Sequence, residues 1–461
     1  MTQEGGMNNF AREHKSASSY IDVAANDHGD EKGYLVRHAL ARLSSPNAHV
    51  VEIGPGGGAA VRHLASHLRT QPRSVHMTLI EAPGVVSKSL TDAMDYFDTV
   101  GTSALVHGWA QDLSTLIPMS ADIISASALM HEVYSYGSGY ADLYALIRAL
   151  PTALAEYGFF AYRDVYSVHT ASLHDRTIHT YTGQPWLQFL QMFTPHYLDN
   201  GRHPYHRSND EPVARQNSQI VALSSLDDRV AAVIEAPIGL FREVQRHYVT
   251  MRDHVWRSGV LGFTPVLDGQ LSNDWVDFRA GHKRVHFSFS DSARMSSAQR
   301  ANLRALSESY GDHFVIDGDI FDAITDLALA DFLTAAAGAV DETCVQVWGS
   351  WLEREGRETY VYLTRDELLT EFAVNSIEAG TDGETVLMPV HADDVSTRTR
   401  AYYNRYLSNS LANPLIDAKQ LVLFQNIPIT DSVLLQSALS VLGEHCTKPS
   451  LARVMSAVWR S

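Results

Sequence analysis

The most constraining feature is the run Val50-Val51-Glu52-Ile53-Gly54-Pro55-Gly56-Gly57-Gly58-Ala59. Apolar residues with strand character run straight into a glycine-rich turn, and 59–68 follows with helical spacing. Glycines between a strand and a helix let the backbone turn tightly and approach a ligand closely. The rhythm then repeats. Strands are expected at 75–80, 104–107, 121–127 and 158–162, with a helix over 140–157. Alternating strands and helices imply a parallel sheet covered on both faces. The fold class expected is therefore α/β and Rossmann-like.

After about residue 168 this alternation stops. The stretch to 357 reads as mostly helical, with apolar positions Leu240, Val244, Tyr248, Met251 and Val255 at helical spacing and one alternating strand at 285–290. Pro195 is expected to end a helix that starts at Trp186. The core pattern returns near 358. A helix over 364–379 has Thr364 at its N-cap and Glu367 three residues on. Strands follow at 385–390 and 419–425, with a helix at 397–409 between them. Four regions result: an N-terminal segment or lid at 1–32 with a short helix at 20–25, a core at 33–167, an insertion at 168–357, and a second part of the core at 358–461 with C-terminal helices.

Charge and composition exclude several classes. Lys and Arg number 36 against 53 Asp and Glu, a formal charge of −17 over 461 residues. An acidic chain without a dense basic run is ill suited to phosphate backbones, so no nucleic-acid partner is expected. No apolar run approaches the length of a membrane span and no signal peptide is seen, so no membrane partner and a cytoplasmic location are expected. The two cysteines, Cys344 and Cys446, have no metal-site spacing, and His196, His203, His206, Asp199 and Asp210 match no ligand motif. No metal is expected. The helical termini leave a homodimer open.

The glycine loop alone does not choose its ligand, because Gly54-Pro55-Gly56-Gly57-Gly58-Ala59 also satisfies the dinucleotide pattern. Glu52 separates the readings. A carboxylate beside the loop opposes a pyrophosphate, and it suits the ammonium and sulfonium of S-adenosylmethionine. Glu81 ends the second strand, where either ligand presents a ribose diol. Asp112, in Ala110-Gln111-Asp112 after the third strand, is placed to accept from an adenine amino group or to cap the helix begun by Leu113.

These residues together resemble the class I S-adenosylmethionine-dependent methyltransferases, over about 33–165 and 358–428. The resemblance implies a seven-stranded Rossmann-like sheet whose seventh strand, here 419–425, runs antiparallel beside the sixth. It implies S-adenosylmethionine as cofactor, held by Glu52, Gly54, Pro55, Gly56, Gly58, Glu81, Gln111, Asp112 and Ser127.

The segment after the fourth strand, Ser127-Ala128-Leu129-Met130-His131-Glu132-Val133-Tyr134, should edge the reacting centre, since ligands in open α/β sheets lie at the strand carboxyl ends. His131 suits a general base and Glu132 an orienting or cation-binding acid. His131 equally suits a cofactor-lining role. Tyr134, Arg163 and Asp164 are expected to face the acceptor, with an internal ion pair the competing role for Arg163. The expected activity is methylation of a small molecule or peptide-like metabolite, at oxygen or nitrogen by preference, of the kind found in natural-product biosynthesis, with the insertion as acceptor wall or lid. The rival readings are an NAD(P)-dependent Rossmann oxidoreductase and a cofactor-binding partner protein without turnover.

Overall fold

The computed structural model describes residues 29–461 except 118–119, 206, 267–275, 278–281, 291–293, 380–383, 396–397 and 460–461. The helix expected at 20–25, most of the expected N-terminal lid, and His206 lie outside the described residues. The chain divides into two compact units. One comprises the chain up to Ala171 together with Tyr362–Val395 and Ala418–Ser461; the other comprises Ser172–Val361 and Ser396–Asp417.

The first unit is built on seven strands: β1 (Asn47–Ile53), β2 (Ser74–Glu81), β3 (Thr102–His107), β4 (Ala121–Ser127), β5 (Leu154–Asp164), β6 (Thr385–Val395) and β7 (Lys419–Pro428). Their order across the sheet is β6-β7-β5-β4-β1-β2-β3. β1 pairs parallel with β2 and β4, β2 with β3, and β4 with β5. β7 is antiparallel to both β5 and β6. Helices cover both faces, as parallel strands require. Successive side chains on a strand point to opposite faces. Phe159 and Ala161 of β5, with Leu421 and Leu423 of β7, therefore join one core that includes Val61, Leu64 and Leu68 of the helix Ala59–Thr70. Phe160, Tyr162, Val422 and Phe424 join the other, against the helices Tyr140–Ala153 and Arg365–Ala379. The helix at 365 starts at a capping box: the Thr364 N–H donates to Glu367 Oε2 at 2.8 Å, and the Glu367 N–H donates to Thr364 Oγ1 at 3.1 Å.

The second unit departs from the mostly helical expectation. It has long helices, including Trp186–Asn200, Ile238–Arg257 and Gly318–Ala337, but also two antiparallel sheets. One sheet orders Arg176–Tyr181, Ala232–Pro237, Val213–Gln216 and Gln219–Val221; the other is five-stranded around Arg284–Phe289 and His313–Asp317. The strands at 213 and 219 are joined by Asn217 and Ser218, both left-handed at φ 49° and 65°. That is the tight hairpin geometry an Asn-led pair favours. Pro195 does not end its helix, which continues to Asn200. Phe193, Tyr197 and Leu198 are buried around it, and their packing offsets the lost backbone hydrogen bond. The helix expected at 397–409 forms as Arg398–Ser410, and its contacts place it in the second unit, not in the core. Among the described residues no single helix is long and apolar enough to cross a membrane.

Phe424 is fully buried in the centre of β7 and stacks on Phe372 with ring centroids 4.4 Å apart. Phe424→Ala should destabilise the first unit by roughly 3–5 kcal/mol, the usual cost of truncating a core aromatic. Urea unfolding followed by tryptophan-independent far-ultraviolet circular dichroism measures it, and a loss under about 1 kcal/mol would show that this core is not closely packed.

Candidate functional site

The carboxyl ends of β1, β4 and β5 lie side by side, and the expected site residues gather there. Ile53 pairs with Ala126 across β1 and β4, which sets Gly54 level with Ser127. Ser127 in turn pairs with Arg163 of β5. The turn after β1 puts Gly54, Gly56 and Gly58 at φ 68°, 55° and 78°. Side chains resist this left-handed region, so the glycines are there for backbone shape. At Gly58 a Cβ would also lie 2.6 Å from Ala93 Cβ, so the helix Lys88–Phe97 can approach only because that position is bare. The Gly58 N–H donates to the Pro55 carbonyl at 2.9 Å and closes the turn.

Glu52 is 3% exposed at the end of β1, and its Oε2 has no hydrogen-bond partner among the described residues. Burial pushes its carboxyl up to about 7, and nearby Lys32 offsets part of that effect. An orphaned buried carboxylate oxygen is costly unless something completes it. A cationic amino-acid end beside bare glycine backbone would do so. The residues present therefore fit the methionine end of S-adenosylmethionine.

Glu81 is also buried, and it is already engaged. Its Oε1 accepts from the Ala82 N–H at 2.9 Å and its Oε2 from the Gly56 N–H at 3.3 Å. Burial holds its carboxyl above the ordinary range, against these hydrogen bonds and His107. Glu81 thus ties the tip of the glycine loop to the end of β2 while remaining at the position expected to meet a ribose. Gln111 and Asp112 form a short 3-10 turn after β3. Asp112 is exposed, and its side chain makes no capping hydrogen bond to the helix Leu113–Leu116, so the capping role is not the one observed.

On the β4 side the backbone is strained. Ala128 has φ 55°, costly for a residue with a Cβ, and its N–H donates to the Arg163 carbonyl at 2.8 Å. The turn launches the helix Met130–Tyr136 and buries His131, which is 4% exposed. The His131 ring Nδ1 lies 2.7 Å from Asp164 Oδ1, and the His131 backbone N–H donates to Asp164 Oδ2 at 3.1 Å. Asp164 Oδ1 also accepts from the Val165 N–H at 2.7 Å, and Oδ2 from the Tyr362 hydroxyl at 3.1 Å. Burial raises the Asp164 carboxyl, but His131 and these donors outweigh it and leave it below the ordinary carboxylate value. Asp164 is therefore an orienting acid for His131, and its contacts do not place it toward an acceptor.

Two further expected roles need revision. Arg163 donates from Nε and Nη2 to Glu31 Oε1 at 2.9 and 2.6 Å and from Nη1 to Ser127 Oγ at 3.0 Å, so it holds an internal ion pair and not an acceptor carboxylate. Tyr134 is 3% exposed and packs against Tyr140 and Tyr362 at 4.9 and 5.5 Å between ring centroids, which makes it core. The Glu132 N–H donates to the Leu129 carbonyl at 2.9 Å, and Asp164 is the acid seen on the His131 ring. Two residues absent from the sequence expectation enter the site. Tyr362 reaches Asp164, and Glu31 bridges Arg163 and Lys419, the latter at 2.8 Å. Among the described residues no group of three or more His, Cys, Asp or Glu could hold a metal ion; Asp210 pairs with His174, and His203 with the Leu198 carbonyl.

No protein-family model matches the chain, and no curated protein matches it. Solved structures do. An O-methyltransferase family protein from Burkholderia thailandensis is 13% identical over 51% of this chain and 69% of its own, with TM-score 0.25. The CcbJ methyltransferase from Streptomyces caelestis is 16% identical over 33% of this chain and 58% of its own, at 0.24. An S-adenosylmethionine-dependent methyltransferase from Clostridium acetobutylicum ATCC 824 is 10% identical over 91% of this chain and 98% of its own, at 0.30. The first three structures matched are spanned over 51% to 69% of their length. The order and direction of the seven strands are on their own those of the Rossmann-like class I methyltransferase fold.

Glu52 makes a pH prediction. With its carboxyl at about 7, the ionised form that suits a cation is lost as pH falls below 7. The affinity for S-adenosylhomocysteine should therefore drop up to about tenfold per pH unit below that point and level off above it. Titration calorimetry between about pH 6 and 8 reads this, and Glu52→Gln should flatten the profile. An unchanged slope in that variant would assign the titration to another group.

Proposed function

We propose that the chain is an S-adenosylmethionine-dependent methyltransferase acting on a small molecule or a peptide-like metabolite. The observation that carries this reading is the buried Glu52 carboxylate, whose Oε2 has no partner among the described residues, beside three left-handed glycines at the end of β1. When bound, the cofactor supplies a methyl group on a sulfonium, a leaving group that is already activated. What remains for the protein is alignment, and, for an oxygen or nitrogen acceptor, removal of a proton.

His131 and Asp164 suit that second task. With Nδ1–H donated to Asp164, the imidazole is held as the tautomer whose Nε2 accepts a proton. Asp164, kept ionised by its donors, stabilises the imidazolium that results. Tyr362 completes the arrangement by holding the second carboxylate oxygen, and its own hydroxyl lies 2.9 Å from that of Tyr162. The strained turn at Ala128 fixes the start of the helix that bears His131. Oxygen or nitrogen is thereby favoured as the acceptor atom over carbon. An NAD-dependent reading is opposed by Glu52, whose carboxylate would face a pyrophosphate.

Calorimetry should show S-adenosylhomocysteine binding to the intact chain and no comparable binding of NADH. Tight NADH binding without S-adenosylhomocysteine binding would overturn the proposal. With labelled S-adenosylmethionine and an acceptor that is methylated, His131→Ala should lower turnover by about 10² or more while leaving cofactor affinity within severalfold. Near-normal turnover would leave His131 a lining residue only.

A further inference from the structure

The glycine loop, Glu81 and Asp112 leave one charged group near the site without a role. Glu31 belongs to the short helix Gly29–Lys32, which packs on the helix Ala59–Thr70 launched by the glycine loop. Its side chain is 8% exposed. One oxygen, Oε1, accepts from Arg163 Nε and Nη2 and from Lys419 Nζ. The other, Oε2, is buried and has no hydrogen-bond partner among the described residues. Burial works against the charge of this carboxyl, but Arg163 and Lys419 outweigh it and bring it down to about 2. The carboxylate is ionised at neutral pH, with Oε1 engaged and Oε2 without a partner among the described residues.

Its position is fixed by the sheet. Arg163 ends β5 and bonds Ser127 at the end of β4, which is level with Gly54 at the end of β1. Lys32, the next residue to Glu31, is the cation that acts on Glu52. Glu31 is thus tied to the end of β5 and Glu52 lies at the end of β1, the two strands that flank β4, and each has a buried oxygen without a partner among the described residues. The two differ in one respect. Glu52 is half neutral near pH 7, whereas Glu31 stays charged far below it.

We propose that Glu31 is a second carboxylate of the methyl-donor site, and that its free oxygen receives the α-ammonium of the donor's amino-acid end opposite Glu52. The inference rests on the donor reading given above. An ammonium has three N–H donors on one centre, so it can complete both orphaned oxygens at once. Arg163 and Lys419 lie on the occupied lobe, where they hold the carboxylate in place and ionised. A charge-assisted hydrogen bond of this kind discriminates strongly against a ligand that lacks the donor group.

The test compares S-adenosylhomocysteine with 5′-methylthioadenosine, which keeps the nucleoside and sulfur but lacks the amino-acid end. Calorimetry on the intact chain should show Glu31→Gln weakening S-adenosylhomocysteine by about tenfold or more while 5′-methylthioadenosine stays within about twofold. Unchanged S-adenosylhomocysteine affinity, or an equal loss for both ligands, would overturn the proposal. Wild-type protein gives an independent arm should the variant misfold. At about pH 5.5 Glu52 is largely protonated and Glu31 is not, so S-adenosylhomocysteine should still bind more tightly than 5′-methylthioadenosine. Equal affinities at that pH would overturn the assignment to Glu31. Wild-type protein that binds neither ligand at any pH would instead remove the donor reading, and this inference with it.

Discussion

The rest of the site depends on a carboxylate buried at the end of a strand, with one oxygen that has no partner among the described residues. Glu52 sits in a parallel sheet with strands on both sides, where water does not reach it and desolvation pushes its carboxyl up to about 7. A fold does not retain such a group for stability, because an apolar residue there would be less costly. The glycine turn beside it has the same character. Three left-handed glycines in five residues sacrifice chain stiffness for bare backbone. Both features fit the proposed ligand, which would bring a cation close to the main chain.

The rest of the site is tied to that strand end by short links through the sheet. Glu81 anchors the loop tip through Gly56, and Ser127 links β4 to Arg163 on β5. Asp164, the next residue, orients His131. Adjacent residues on β5 point to opposite faces, so one strand end serves two separate polar systems: the ion pair with Glu31 and the dyad with His131. Tyr362 matters because it re-enters the first unit at the point where the chain returns from the insertion and closes on Asp164. The site therefore depends on both ends of the interrupted core.

Much of the core was legible in the sequence because its signals are local. The strand–glycine–helix step at 50–59, the capping box at Thr364 and Glu367, and the strong strand character of 419–425 each sit within a few residues. What could not be read was long-range. Arg163 gave no hint of Glu31 or Lys419, which lie far from it in the chain, so an ion pair and an acceptor contact looked equally good. Tyr134 has the composition of a binding residue, and only its neighbours Tyr140 and Tyr362 make it core. In the second unit the hairpin at Asn217-Ser218 has strands of only four and three residues, too short to show a periodicity. Pro195 was misread because burial of its helix overrides local propensity.

The central proposal is local: the loop from Gly54 to Gly58 would receive the methyl donor's amino-acid end. Backbone amide resonances of Gly54, Gly56 and Gly58, followed by isotope-edited nuclear magnetic resonance during addition of S-adenosylhomocysteine, test it most directly. Saturable shifts are expected at these three amides, with smaller changes along the edge strand β6, Thr385–Val395. Saturable binding that leaves all three glycine amides unmoved would contradict it.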